Sequence, residues 1–172
     1  MQTRLVLTVI GRDRPGLVSA VSETVAAGGG NWLDTRMASL AGQFAGILLV
    51  EVAAEQADAL VAALRKLETQ GLRLLIERSD EAPPQGERML TLDLIGLDRP
   101  GIVRDISRAL AEHQVSIVEL ESEQLTASFS GEAMFKAHAL LELPAGLDLE
   151  RLRRSIEDIA SELMVDLDLG AA

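Results

Sequence analysis

The segment that decides the fold is Ile-Gly-Arg-Asp-Arg-Pro-Gly at residues 10–16. It returns 85 positions later as Ile-Gly-Leu-Asp-Arg-Pro-Gly at residues 95–101, with six of seven positions identical. Repetition at a fixed offset indicates that one structural unit occurs twice. A chain of 172 residues is long enough for two small domains, each with its own core. Each half is therefore expected to fold as one unit.

Both halves show the same order of hydrophobic patterns. A short aliphatic strand precedes the repeated segment and an amphipathic helix follows it, ended by glycines 28–30 in the first half and near His113 and Gln114 in the second. A hairpin, a second helix and a closing strand complete each half. The predicted strands are 5–10, 31–39, 44–53 and 72–76, then 90–95, 116–127, 133–143 and 164–169; the predicted second helices are 56–70 and 149–163. The order β-α-β-β-α-β predicts an α+β protein of two ferredoxin-like units in tandem, each with an antiparallel four-stranded sheet.

The domain boundary is predicted from a polar segment with two adjacent prolines, Pro83 and Pro84. Such a segment is typical of an extended linker. We expect a first domain at 1–80, a linker at 81–87 and a second domain at 88–172.

Charge and composition exclude several classes of function. The net charge is −11; residues 1–80 carry 8 Lys and Arg against 9 Asp and Glu, whereas residues 81–172 carry 8 against 18. An acidic chain without a basic stripe is poorly suited to direct contact with nucleic acid or an anionic membrane. There is no Cys, no apolar run of membrane-spanning length and no signal-peptide pattern at the N-terminus. We expect a cytoplasmic protein.

A β-α-β-β-α-β unit with Asp-Arg-Pro-Gly between its first strand and first helix resembles the ACT domain, a small regulatory module that senses amino acids. Two such units and the linker account for the whole sequence. A pair without a catalytic domain is similar to the glycine cleavage system transcriptional repressor family, as is the hairpin segment 126–131. The resemblance implies a non-enzymatic regulator that binds a small amino acid and acts on a protein partner, with glycine favoured as ligand. It also implies a homodimer or a higher homo-oligomer.

The resemblance further implies a ligand site at the loop after the first strand, usually at an interface between two domains. Polar side chains at the start of the following strand complete it. The candidate ligand-binding residues are Gly11, Asp13, Arg14, Gly16, Leu17 and Asn31 in the first half, and Gly96, Asp98, Arg99, Gly101, Ile102 and Ser116 in the second. Ser116 replaces the Asn and Val115 replaces a glycine, so we expect the two sites to differ.

Elementary chemistry favours the same loop. A helix start presents unpaired N–H groups and the positive end of its dipole, which attract a carboxylate. Asp13 could receive an α-ammonium group and Arg14 a carboxylate. Structural explanations stay open: Asp13 and Asp98 suit helix N-caps, and Arg14 and Arg99 could be solvated charges.

The structural explanations extend to the rest of the site. Pro15 and Pro100 suit the first helical turn. Gly16 and Gly101 could serve helix–sheet packing, and Asn31 could be a turn residue.

Catalytic and metal-binding patterns are weak. The two histidines, His113 and His138, occupy unrelated positions, and no spacing typical of a transition-metal site occurs. Glu119, Glu121 and Glu123 alternate on one strand face, where a solvated or interface role is favoured over acid–base catalysis. We expect no catalytic residue, metal or cofactor.

Two other functions share the predicted fold. A ligand-independent adaptor would bind a transcription factor or an enzyme through a sheet edge or the acidic second half. A small acyl-phosphate hydrolase would hold phosphate with an Arg of the first loop. The adjacent acidic residue argues against the hydrolase.

Overall fold

The computed structural model describes residues 1–79, 88–128 and 130–171. The chain divides into two compact units, Met1–Pro83 and Pro84–Ala172. The predicted linker 81–87 lies outside the described residues, and the predicted domain boundaries stay predictions. No helix of the described ranges is both long and apolar enough to cross a membrane.

Both units fold as β-α-β-β-α-β, which confirms the predicted fold class. The first consists of β1 (Gln2–Arg12), α1 (Leu17–Ala27), β2 (Asn31–Leu40), β3 (Gln43–Ala53), α2 (Ala57–Arg65), a 3-10 helix (Lys66–Gln70) and β4 (Leu72–Ser79). The second consists of β5 (Arg88–Leu97), α3 (Ile102–Glu112), β6 (Ser116–Thr126), β7 (Ala133–Leu143), α4 (Leu149–Leu163) and β8 (Val165–Ala171).

The strand order is β2-β3-β1-β4 in the first sheet and β6-β7-β5-β8 in the second. All strand pairings among the described residues are antiparallel. The central strands β1 and β5 each lie between two neighbours, and β2 and β6 are sheet edges. Alternate residues of the central strands β1 and β5 are buried, which indicates that the helices of each unit cover one face of its sheet.

Two local details differ from expectation. The segment expected as a helix at 56–70 is helical over 57–70, but it changes from an α-helix to a 3-10 helix after Arg65, and Gly71 ends it in a left-handed conformation (φ 85°). Met164, expected in the last strand, has a φ of 53° and caps the C-terminus of α4, because the chain must reverse there before β8 begins.

The cores of both domains are aliphatic, and some core residues of the second domain are slightly more exposed to solvent than those of the first. Leu7, Leu48 and Leu60 of the first domain are fully buried. In the second domain, Leu94 and Ile106 keep 5% and 7% exposure. Trp32 packs on the first core, and Ile117 occupies its place in β6.

Candidate functional site

The repeated segment forms a tight turn between the first strand and first helix of each domain. Gly16 is the N-cap of α1 with a φ of 90°, and Gly101 is the N-cap of α3 with a φ of 101°. L-amino acids rarely adopt these angles, so each turn requires glycine. At Gly16 an added Cβ would meet no atom within 4 Å. Its conformation, and not helix–sheet packing, is therefore the reason for glycine there.

The predicted N-caps are wrong. Asp13 and Asp98 lie three residues before the capping glycines and make no capping hydrogen bond, and α1 and α3 have no side-chain cap. Pro15 and Pro100 precede the N-cap and do not lie in the first helical turn, contrary to expectation. The reason is the left-handed glycine, which is itself the N-cap, so each helix begins only after it.

The loop aspartates bind the neighbouring hairpin. The Ser39 hydroxyl donates to the Asp13 carboxylate at 2.5 Å, and the Asp13 N–H donates to the Gly42 carbonyl at 3.0 Å. In the second domain the Gln124 amide donates to the Asp98 carboxylate, and the Asp98 N–H donates to the Ala133 carbonyl at 2.8 Å. Each aspartate thus fixes the loop against the end of an edge strand.

Sequence reasoning missed these partners, although a signal was present. Ser39 and Gln124 each follow their aspartate by 26 residues. Equal spacing of hydrogen-bonding residues in a repeated unit predicts an equivalent contact.

The loop arginines differ between the domains. Arg14 donates to the carbonyl of Gln70 at 2.9 Å, at the end of the 3-10 helix. Arg99 is half-buried and makes no hydrogen bond or ion pair within the described residues. Arg14 therefore holds its loop to the end of the 3-10 helix, whereas Arg99 has no equivalent contact among the described residues.

Four of the predicted residues face inward. An added Cβ at Gly11 would lie 3.0 Å from Leu72, and one at Gly96 only 2.5 Å from Val165, so the last strand of each domain occupies that space. Leu17 and Ile102 are each 3% exposed and bury their side chains in the cores. These four can offer a ligand only backbone groups.

The structure separates the two parts of the predicted site. Asn31 begins β2 and pairs with Glu51, which in turn pairs with Arg4 at one end of the sheet. Asp13 follows Arg12 at the opposite end. Arg4 and Arg12 are eight residues apart along β1, about 26 Å at 3.3 Å per residue. Within one domain, Asn31 and Asp13 therefore do not contact the same amino acid.

The second domain repeats this separation. Ser116 pairs with Glu142, and Glu142 pairs with Met89 near the start of β5. Asp98 follows the end of β5. Ser116 and the Asp98 loop thus occupy opposite ends of their sheet.

The helix starts can bind an anion through backbone groups. The first intrahelical donor of α1 is Ala20, which bonds the Gly16 carbonyl at 2.9 Å. The amides of residues 17–19 precede it and have no carbonyl one helical turn earlier. In α3 the corresponding first bond is donated by the Asp105 N–H to the Gly101 carbonyl at 2.9 Å. Both starts offer N–H groups to a carboxylate.

One apolar pocket lies beneath α3 of the second domain, and Ile102 and Val103 at the start of that helix are among its lining residues. It is lined by Leu94, Ile106, Phe135 and Ala139 of the second domain, between α3 and the sheet. Ser107 is its one polar lining residue. A charged amino acid would find almost no hydrogen-bonding partners there.

The histidines form no metal centre. His138 lies 2.8 Å from the Asp93 carboxylate across β5 and β7, and Glu121 pairs with it from β6. No group of three or more potential metal ligands occurs in the described part of the chain.

Two βαββαβ units, each with a glycine-capped turn at its first helix, define a tandem ferredoxin-like protein. The ACT domain family matches residues 3–77, and a second ACT domain match covers residues 90–157. The chain belongs to the ACT domain family and contains two ACT domains in tandem.

Several proteins are similar along almost the whole chain. The glycine cleavage system transcriptional repressor of Escherichia coli K12 is 27% identical over 165 residues, covering 94% of this chain and 86% of the repressor. The protein of that name from Shigella flexneri matches equally. A crystal structure of an unknown protein from Galdieria sulphuraria is 30% identical, with a TM-score of 0.89 over 100% of this chain and 99% of that one.

Proposed function

We propose that this protein is a non-enzymatic regulator that binds a small amino acid through its ACT domains and modulates a protein partner in transcriptional control of glycine and amino-acid metabolism. The observation that carries the proposal is the repeated glycine-capped turn, which presents backbone donors at both first helices. Similarity to a transcriptional repressor along 94% of the chain supports the regulatory role.

The proposed ligand contacts are divided between backbone and side chains. The amides of residues 17–19 bind the ligand carboxylate, which the helix dipole favours. The exposed Asp13 carboxylate binds the α-ammonium group through lone pairs not used by Ser39. Since Asn31 lies at the opposite end of the sheet, it contributes from a second copy of the domain.

The second site is proposed to have a different specificity. Arg99 occupies the position of Arg14 but makes no hydrogen bond within the described residues, so it can turn toward a ligand carboxylate. Ser116 offers a single hydroxyl where Asn31 offers an amide.

The proposed partner makes the contact with DNA. A net charge of −11 opposes binding to phosphate, so regulation of transcription runs through a DNA-binding protein. The absence of an enzymatic role is supported by the relatives named as repressors.

One observation favours the adaptor as the alternative function. Asp13 and Arg14 are both hydrogen-bonded within the fold, as expected if the loop is purely structural. An adaptor of this kind would recover its partner equally with and without amino acids.

The test is thermal denaturation of the full chain against each of the twenty amino acids. A ligand present at 100 times its Kd stabilises by about 2.7 kcal/mol, which raises the Tm by several degrees. We expect such a rise for one or a few small amino acids.

Two variants separate the roles of Asp13. Asp13→Ala removes the carboxylate, whereas Ser39→Ala removes only its internal hydrogen bond. We expect the ligand response to disappear in the first and persist in the second. Loss in both would assign Asp13 to loop structure, and no response from any amino acid would favour the adaptor.

A further inference from the structure

Each sheet has one face covered by helices and one outer face. The outer face of the first domain centres on Thr8, Ile10, Ile47 and Leu75, where Thr8 pairs with both Ile47 and Leu75. Exposure is 43% for Ile10, 55% for Ile47 and 60% for Leu75. Three large apolar side chains thus lie together in solvent on neighbouring strands, which marks an interaction surface.

The outer face of the second domain is charged at the same positions. Asp93 replaces Thr8 and pairs with His138 and Asp168, which stand where Ile47 and Leu75 stand in the first domain. Lys136 and Asp166 flank Ile95 in the next row. Because the two sheets have one topology, this difference is not imposed by the fold.

Charges of both signs surround the apolar centre in the first domain. Arg36 and Arg73 lie at its two edges, and Asp34 bonds Arg36 at 2.7 Å. The Thr35 N–H and Arg36 hold the pKa of Asp34 below its usual value, so this pair stays ionised. An apolar centre within a mixed polar rim is the usual anatomy of a protein interface.

We propose that the outer face of the first domain binds the same face of a second copy of this chain. The distribution of charge favours a second copy of this chain as the partner and the first domain as the contact surface. Residues 1–80 carry a net charge of −1, whereas residues 81–172 carry −10, so two copies repel each other through their second domains but not through their first. An isologous contact needs a self-complementary surface, and a rim of mixed charge supplies one.

The size of the face suits a dimer of moderate stability. Four strands at about 4.8 Å spacing and seven residues of strand at about 3.3 Å give a face of roughly 19 by 23 Å. Two such faces enclose roughly 900 Å² in projection, and the side-chain relief brings the buried area toward the roughly 1,200 Å² of small specific interfaces.

The experiment is sedimentation of the full chain over a range of concentrations. We expect a dimer for the unaltered protein. Ile47→Glu places a charge in the apolar centre of both copies at once, and we expect the dimer Kd to rise by at least about 100-fold.

A matched pair of variants tests the position of the interface. Ile10 and Ile95 are equivalent residues with nearly equal exposure, 43% and 41%. Ile10→Glu should dissociate the dimer, and Ile95→Glu should leave it intact. Val18→Glu, at a 45% exposed residue of α1, should also leave it intact.

Folding of the variants is checked by circular dichroism. Ile47→Thr keeps a β-branched residue and should weaken the dimer less than Ile47→Glu while preserving the spectrum. A monomer at every concentration would overturn the proposal. So would a dimer that survives Ile10→Glu and Ile47→Glu, or one that only Val18→Glu dissociates.

Discussion

The two domains share a backbone but differ in the residues that fill it. Leu48 of β3 is fully buried in the first domain, whereas the equivalent residue of β7 is Ala139. Trp32 is likewise replaced by Ile117. Both smaller residues, Ile117 and Ala139, line the apolar pocket under α3, so these two substitutions remove side-chain volume at that place. Duplication kept the turn glycines and the topology, while core residues and surface charge diverged.

The largest predicted effect makes the first core resemble the second. Leu48→Ala removes a fully buried side chain, and we expect a loss of about 3–4 kcal/mol in the unfolding free energy of the first domain. Trp32, the single tryptophan, packs on this core, so its fluorescence in urea reports the first domain alone.

The reciprocal variant sharpens the comparison. Ala139→Val adds two methyl groups beside the pocket, and we expect the second domain to gain about 0.5–1 kcal/mol, measured by circular dichroism in urea. A destabilisation would mean that the pocket cannot accept the added volume.

An intermediate loss of stability is expected on substitution of the turn glycines, which both domains share. Gly16→Ala and Gly101→Ala force alanine into a left-handed conformation, and each should destabilise its domain by about 1–2 kcal/mol. Asn tolerates this conformation better than Ala, so Gly16→Asn should cost less. If Gly16→Ala were neutral in urea unfolding, the turn would not depend on its φ of 90°.

The smallest effect concerns the links between loop and hairpin. Ser39→Ala and Gln124→Ala each remove one exposed hydrogen bond, and we expect losses of about 0.5 kcal/mol or less. Asp148→Ala provides the contrast, because Asp148 accepts from the amides of Glu150 and Arg151 and truly caps α4. Its loss should cost about 1 kcal/mol. If Ser39→Ala, Gln124→Ala and Asp148→Ala lowered the free energy of unfolding in urea equally, the distinction between a helix cap and an exposed hydrogen bond would be contradicted.

The fold was predictable because its signals are local and repeated. Strand and helix periodicities occur in the same order in both halves, and six residues of a seven-residue segment recur at a fixed offset. The change from an α-helix to a 3-10 helix at Lys66 was not predictable, because it depends on Gly71 and on packing against β4.

The site was predictable only in part. The turn was located correctly, but Asp13 was assigned a local capping role when its partner Ser39 lies on another strand. Local propensity does not contain such a contact. The separation of Asn31 from Asp13, in contrast, follows from the strand order alone, because β1 and β2 both pair antiparallel to β3. Whether these residues bind a ligand stays a prediction.

Hydrogen exchange of the full chain, with and without a mixture of the twenty amino acids, tests the central claim most directly. Amino-acid binding at the helix start predicts slower exchange at the amides of Leu17, Val18 and Ser19, which the fold leaves without helical acceptors. Ser39→Ala should keep this protection and Asp13→Ala should lose it. Unchanged exchange across both helix starts would contradict the account.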